Sequence, residues 1–214
     1  MVKRAETAGA DIGMAVTALS QGRVVAYPTE TVYGLGVDPG NETALERLLI
    51  LKGRSGRQGL IVLVAEASQL DALVQPPSAL ALALMERFWP GPLTLVLPAR
   101  PGLSPRLTGT GDCLAVRRSP APQVAALLAA WGRPLVSTSA NPHGRPPARD
   151  SAQVLDYWPE GLAVVPGVCP PGTRPSTLVR VTGDRAELLR SGALAKEVLV
   201  AVVPGLVLRD AEER

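Results

Sequence analysis

Cations and hydroxyls recur in this chain at the ends of short apolar runs. Val24, Val25 and Ala26 lead through Tyr27 and Pro28 into Thr29, Glu30 and Thr31, then to Gly34 and Gly36. Lys52, Arg54 and Arg57 stand among Gly53, Gly56 and Gly59 with no acidic residue between them. Cys113–Val116 ends on Arg117 and Arg118, and Pro134–Val136 runs into Ser137, Thr138, Ser139 and Asn141. Ser176 and Thr177 open a further run, and Glu187–Leu189 ends on Arg190. Hydroxyls and a carboxamide both donate and accept hydrogen bonds. With several cations and few carboxylates they suit a polyanion, most simply a nucleotide. Neither the GxxxxGKS/T phosphate loop nor GxGxxG is present, and no Ser-His-Asp arrangement stands out. The chemistry that fits needs no protein nucleophile. Phosphoryl or nucleotidyl transfer is such a case, because positioning and charge stabilisation do most of the work.

Composition narrows the setting. At 214 residues the chain fits one large α/β domain or two small ones. Aromatics are only 3% against 46% hydrophobic, so the core must be built from Leu, Val and Ala. A net charge of +3 favours anionic ligands without demanding nucleic acid. The single histidine, His143, removes every two-histidine metal motif, and Cys113 and Cys169 lack ligand spacing, so no metal-binding residue is assigned. The N-terminus lacks the layout of a signal peptide, and no run approaches a membrane span. A cytoplasmic location with no membrane partner is expected.

The elements that must position these groups read as a single α/β domain, a twisted mixed, largely parallel sheet flanked by helices. Apolar spacing predicts helices over 6–21, 67–73, 78–88, 122–131 and 151–157, and a capping box at Thr43 and Glu46 opens a helix that ends at Gly53. Strands are expected in 24–27, 60–65, 93–97, 113–116, 134–136, 163–165, 176–181 and 187–189, with an amphipathic segment at 193–203. Residues 99–111, rich in Pro, Gly, Thr and Ser, read either as a mobile lid or as an irregular surface loop. The basic, proline-containing stretch His143–Arg149 is expected to be exposed, and Pro166–Pro175 to be a loop. If the strands run mostly parallel, Thr29, Thr31, Arg117, Ser139, Asn141, Ser176 and Arg190 share one rim of the sheet.

Tyr27-Pro28-Thr29-Glu30-Thr31-Val32-Tyr33-Gly34-Leu35-Gly36, followed by Lys52-x-Arg54 and Ser139-x-Asn141, resembles the YrdC/Sua5 family of L-threonylcarbamoyladenylate synthases. The similarity runs from about residue 8 to about residue 203, leaving 204–214 as a charged tail, and points to the family's short form. The resemblance implies a YrdC-like fold with a concave basic cavity. It also implies a reaction in which L-threonine, bicarbonate and ATP give threonylcarbamoyl-AMP and pyrophosphate. The product would pass to a tRNA threonylcarbamoyltransferase complex for the t6A base beside the anticodon. Lys52 and Arg54 would be the catalytic cations on the phosphates and the carbamate. Thr31, Arg117, Ser137 and Ser176 would contact threonine. Cys113, Ser139, Asn141 and Arg190 would join Lys52 and Arg54 on the nucleotide, with Mg2+ accompanying ATP. Direct tRNA or double-stranded RNA binding by the same fold, and a paralogue using another amino acid, are the alternatives. The sequence departs from the family pattern at Gly59, Leu63 and Cys113, and in Thr173-Arg174-Pro175 before Ser176.

Overall fold

A computed structural model describes residues 2–54, 58–202 and 208–210. The strands are β1 (Val25–Tyr27), β2 (Gly34–Gly36), β3 (Ile61–Leu63), β4 (Leu93–Pro98), β5 (Cys113–Arg117), β6 (Leu135–Ser139), β7 (Ala163–Val164), β8 (Thr177–Thr182), β9 (Arg185–Arg190) and β10 (Leu208–Asp210). They form one sheet in the order β10-β9-β8-β4-β5-β3-β6-β2-β1-β7. The helices are α1 (Val2–Ser20), α2 (Glu42–Lys52), α3 (Ala79–Phe88), α4 (Pro105–Thr108), α5 (Pro122–Trp131), α6 (Ser151–Tyr157) and α7 (Lys196–Val202). Among the described residues no helix is long and apolar enough to cross a membrane.

The mixed α/β sheet expected from the sequence is present. Parallel pairing is less frequent in it than expected. Among the described residues β1–β7, β3–β5, β4–β8 and β9–β10 pair parallel, whereas β1–β2, β2–β6, β3–β6, β4–β5 and β8–β9 pair antiparallel. Short connections such as the one at Gly183 force an antiparallel return. A run of buried aliphatic residues does not encode strand direction. β10 adds to the sheet beside β9, so residues 208–210 of the expected tail carry strand structure.

Two aliphatic cores cover the sheet. One packs Ala15 and Leu19 of α1 and Leu127 and Leu128 of α5 against Val25, Tyr27, Leu63 and Leu135. The larger one includes Leu45 and Leu48 of α2, Leu84 of α3, and Leu35, Val62, Leu95, Val116 and Val179 from the strands. Each fully buried Leu or Val is worth on the order of 1.5–3 kcal/mol relative to exposure.

Several local expectations shift. Asn41, not Thr43, caps α2: its Oδ1 accepts from the Ala44 N–H at 3.0 Å, and the helix starts at Glu42. Gly53 closes α2 in the left-handed conformation, φ 61°. Residues 67–72 form a 3-10 turn rather than an α-helix. The expected polar loop after Val136 begins as strand, because Thr138 and Ser139 pair with Leu35 and Gly34 of β2. The two glycines of β2 are there for clearance. A Cβ at Gly36 would lie 2.8 Å from both a Tyr27 ring carbon and the Val136 carbonyl oxygen.

Residues 99–111 are packed onto the body of the domain rather than irregular throughout. They carry α4, whose Leu107 is buried and whose carbonyl accepts from the Leu60 N–H at 2.8 Å. Arg106 of α4 pairs with Glu42 of α2 at 2.8 Å.

Candidate active site

A cavity of about 820 Å3 opens where the loop after β1 meets β2, β3, β5, β6 and the start of β8. Seven of the ten residues given a substrate or nucleotide role by the resemblance line it: Thr31, Arg54, Arg117, Ser137, Ser139, Ser176 and Arg190. Lys52 and Asn141 stand immediately behind Ser139. Cys113 does not line the cavity. It lies on the same face of β5 as Ala115 and Arg117, beyond the cavity wall, with its thiol against Asp112 at 3.3 Å. Burial and the Asp112 carboxylate push that thiol's pKa up. Arg57, which stands with Lys52 and Arg54 among glycines in the sequence, lies outside the described residues.

The loop Pro28–Val32 is held at both ends by buried tyrosines. The Tyr27 hydroxyl donates to the Val136 carbonyl at 3.3 Å. The Tyr33 hydroxyl lies 2.9 Å from the Val165 carbonyl oxygen and 3.0 Å from that of Gly167. Burial raises both phenols well above their ordinary range, so they act as neutral donors. Within the loop the Thr29 hydroxyl donates to the Val32 carbonyl at 2.6 Å and accepts from the Thr31 N–H at 3.1 Å. The Thr31 carbonyl is held from outside by Arg149 Nη1 at 3.4 Å and by the Thr173 hydroxyl at 3.0 Å.

The cationic side is equally fixed. Lys52 is 5% exposed, and its Nζ donates to Ser139 O at 2.6 Å, Asn141 O at 2.8 Å and Asn141 Oδ1 at 3.0 Å. An ammonium has three donors, and all three are thus engaged with neutral acceptors of the Ser139–Asn141 segment. Burial, reinforced by Arg54, brings the Lys52 pKa down to about 8. Arg54 donates to Gln58 Oε1, and burial lowers its pKa too.

Arg117 is 7% exposed; its Nε donates to the Gly91 carbonyl at 2.9 Å and its Nη2 to Glu30 Oε1. The other oxygen of Glu30 accepts from the Ser119 hydroxyl at 2.5 Å. Arg190 donates to the Ser176 carbonyl at 2.9 Å and to its hydroxyl at 3.2 Å, and that hydroxyl also bonds Thr94, itself fully buried, at 2.8 Å. Burial, and secondarily Arg117, lowers the Arg190 pKa.

Sequence reasoning missed four contributors. Thr94 sits inside a continuous apolar run, where a hydroxyl gives no pattern signal. Arg149 belongs to the segment read as exposed, yet it lines the cavity beside Pro146 and Pro147. Thr173 and Ser119 lie in loops that only the tertiary fold brings to the site. Leu63 and Gly59, two of the departures from the family pattern, both line the cavity, so that part of its wall carries no titratable group.

Comparison with known proteins gives the chain a family. Residues 17–192 match the Sua5/YciO/YrdC family model, which is described as telomere recombination. The chain belongs to the Sua5/YciO/YrdC family. Among its relatives, a threonylcarbamoyl-AMP synthase of Halorhodospira halophila is 50% identical over 72% of this chain and 81% of its own length. One from Escherichia coli O1:K1 is 44% identical over 86% of this chain and 97% of its own length. Sua5 of P. abyssi, solved in complex with L-threonine, superposes with a TM-score of 0.84 at 34% identity. That match covers 92% of this chain, which spans only 58% of the P. abyssi chain. E. coli YciO superposes with a TM-score of 0.77 at 25% identity, covering 88% of this chain and 92% of its own.

Proposed function

We propose that this Sua5/YciO/YrdC-family chain is a nucleotidyltransferase that makes threonylcarbamoyladenylate and pyrophosphate from L-threonine, bicarbonate and ATP. The observation that carries the proposal is one cavity lined, among the described residues, by four guanidinium groups, Arg54, Arg117, Arg149 and Arg190, and by a single carboxylate, Glu30. Its volume lies within the range of small-molecule sites, about 300–1,000 Å3. The names of the relatives, threonylcarbamoyl-AMP synthase, and the L-threonine bound to P. abyssi Sua5 support threonine as substrate and an adenylate as product.

The reacting groups explain the cations. Bicarbonate takes up a proton and loses water to give CO2; the threonine ammonium gives up a proton, and the resulting amine adds to CO2, forming a C–N bond and losing a second proton, to give a carbamate. A carbamate oxygen then attacks the α-phosphorus of ATP, and the P–O bond to the β-phosphate breaks to release pyrophosphate. Both partners are anions, so bringing them together requires positive charge and a site that limits water. Arg54 and Arg190 bear on the phosphates, and Arg117 takes the threonine carboxylate with its remaining N–H groups. Thr31, Ser137 and Ser176 present hydroxyls to threonine. Ser139 and Asn141 hold the nucleotide, with Lys52 fixing their positions from behind and adding its charge to the phosphate side. Cys113, further along β5, is left with an outlying part in nucleotide contact.

Mg2+ enters on ATP. The cavity's one carboxylate is already engaged by Arg117 and Ser119, and the described residues contain no cluster of metal-ligating side chains. The donor set therefore fits an ion held by phosphate oxygens and water. Such an ion would neutralise charge on the departing pyrophosphate. The product is an acyl adenylate for a cytoplasmic tRNA threonylcarbamoyltransferase complex, with tRNA engaged there or on this chain.

Pyrophosphate release measured with each substrate omitted in turn tests the reading: it is expected only when threonine, bicarbonate and ATP are all present. Arg54→Ala is expected to lose about 2–5 kcal/mol of transition-state stabilisation, read as kcat/KM. Full activity in that variant would remove Arg54 from the mechanism. Tight, steeply salt-dependent tRNA binding without pyrophosphate release would identify an RNA-binding module instead.

A further inference from the structure

The Glu30 carboxylate touches the guanidinium that would receive the substrate's carboxylate, and it lines the same cavity. An arginine that needed only to be held in place could be fixed by carbonyls, as the Gly91 carbonyl already does for Arg117 Nε. A negative charge facing the cavity beside that arginine does something further. It offsets the very charge on which an incoming carboxylate depends, and its burial is costly unless it is matched.

The acceptor and donor capacities show what is left for a ligand. A carboxylate has about four acceptor sites, and Arg117 Nη2 and the Ser119 hydroxyl use one on each oxygen of Glu30. A guanidinium has five N–H donors; the contacts to Gly91 and Glu30 take two of those of Arg117. The cavity wall therefore presents adjacent unused acceptors and unused donors, a fixed minus beside a fixed plus. An α-amino acid carries an ammonium and a carboxylate on one carbon, the complementary plus beside minus.

We propose that Glu30 is a specificity-determining residue that receives the α-ammonium of the amino-acid substrate, so that Glu30 and Arg117 together read a zwitterion. This rests on the synthase reading above and assigns the part of threonine that the hydroxyl contacts leave unread. On this assignment Glu30 makes a cavity rich in arginines discriminate against simple carboxylates and inorganic anions. Those ligands satisfy Arg117 but meet repulsion from Glu30, and a site with buried polar groups rejects a ligand that leaves them unpaired.

The test is calorimetric binding with an ATP analogue bridged by methylene between the α and β phosphorus, so that no turnover occurs. The ligands are L-threonine and the hydroxy acid in which a hydroxyl replaces its ammonium. In Glu30→Gln, threonine affinity is expected to fall by about tenfold or more while hydroxy-acid affinity holds or rises, because the first ligand loses a charge partner and the second loses a repulsion. A merely structural role predicts equal losses for both ligands, and equal losses would overturn the proposal. Binding of the nucleotide analogue to the variant reports that the fold is intact. Should the variant not fold, the wild-type chain decides: it must bind threonine at least about tenfold more tightly than the hydroxy acid, and equal affinities overturn the proposal. Pyrophosphate release by the wild-type chain is scored separately. Its absence would sink the synthase reading, whereas release together with equal ligand losses sinks the Glu30 assignment alone.

Discussion

Lys52 shows how one residue's surroundings convert into a measurable pH dependence. Its three protons point at Ser139 and Asn141, and burial beside Arg54 holds its pKa near 8. The folded value lies below the ordinary 10.5, so keeping Lys52 charged opposes folding below about pH 8, and that penalty fades as pH rises toward 10.5. Nucleotide binding follows the opposite sign, since phosphate favours the ammonium. ATP affinity is expected to be level below about pH 8 and to weaken above it, with proton uptake on binding in that upper range. Calorimetry in buffers of different ionisation heat measures the uptake. Lys52→Arg, charged throughout, is expected to abolish the inflection; an unchanged inflection would assign it elsewhere. At this scale the sequence displays residue types but not their partners. Lys52, Arg54, Ser139 and Asn141 are readable as a set because they follow strand or helix ends. That Lys52 spends its donors on the Ser139–Asn141 backbone is not readable, because those contacts span 87 and 89 positions.

Elements were legible where punctuation is local. Pro122–Trp131 and Ser151–Tyr157 are helices over the residues expected, the first with proline in its opening turn and Gly132 beyond its end in the left-handed region. Where two residues of capping type compete, as Asn41 and Thr43 do, tertiary context chooses, and the start of α2 moved accordingly. β6 extends to Ser139 because β2, about a hundred positions earlier, pairs with it. The turn after β9 carries a further consequence. A Cβ on Gly192 would lie 2.4 Å from Thr177 N and 2.5 Å from Pro175 O, so the chain leaving Arg190 passes directly over the backbone that presents Ser176. Gly192→Ala is expected to destabilise by about 1–3 kcal/mol, read as a lower urea midpoint at unchanged slope. Because the strain falls on Ser176 and Arg190, threonine and ATP KM should both rise; an unaffected KM for both would show that the turn yields without moving them.

Across the whole molecule, six strands and the loops between them each supply a part of the cavity, so ligand binding and global folding are linked. ATP and threonine together are expected to raise the melting temperature by more than the sum of their separate shifts, because two ligands that meet in one cavity favour each other's binding. Additive shifts in a thermal series would argue against a shared cavity. The α/β class, the mixed sheet and the clustering of strand-end residues were readable from periodicity and composition. The balance of parallel and antiparallel pairing was not, because strand order is decided by contacts distant in sequence. Nor was the packing of residues 99–111 against α2, which depends on the Arg106–Glu42 pair and on buried Leu107.

The attachment of the Thr31 carbonyl to Arg149 and Thr173, with Tyr33 N–H on the Ala148 carbonyl at 2.8 Å, ties the segment after β1 to chain more than a hundred positions away. Its conformational entropy is therefore surrendered during folding rather than at the arrival of a ligand. Amide hydrogens of Thr31 and Tyr33 should accordingly exchange with deuterium slowly in the free protein and change little when substrates are added. Marked protection gained only on ligand addition would mean that the segment is ordered by its cargo.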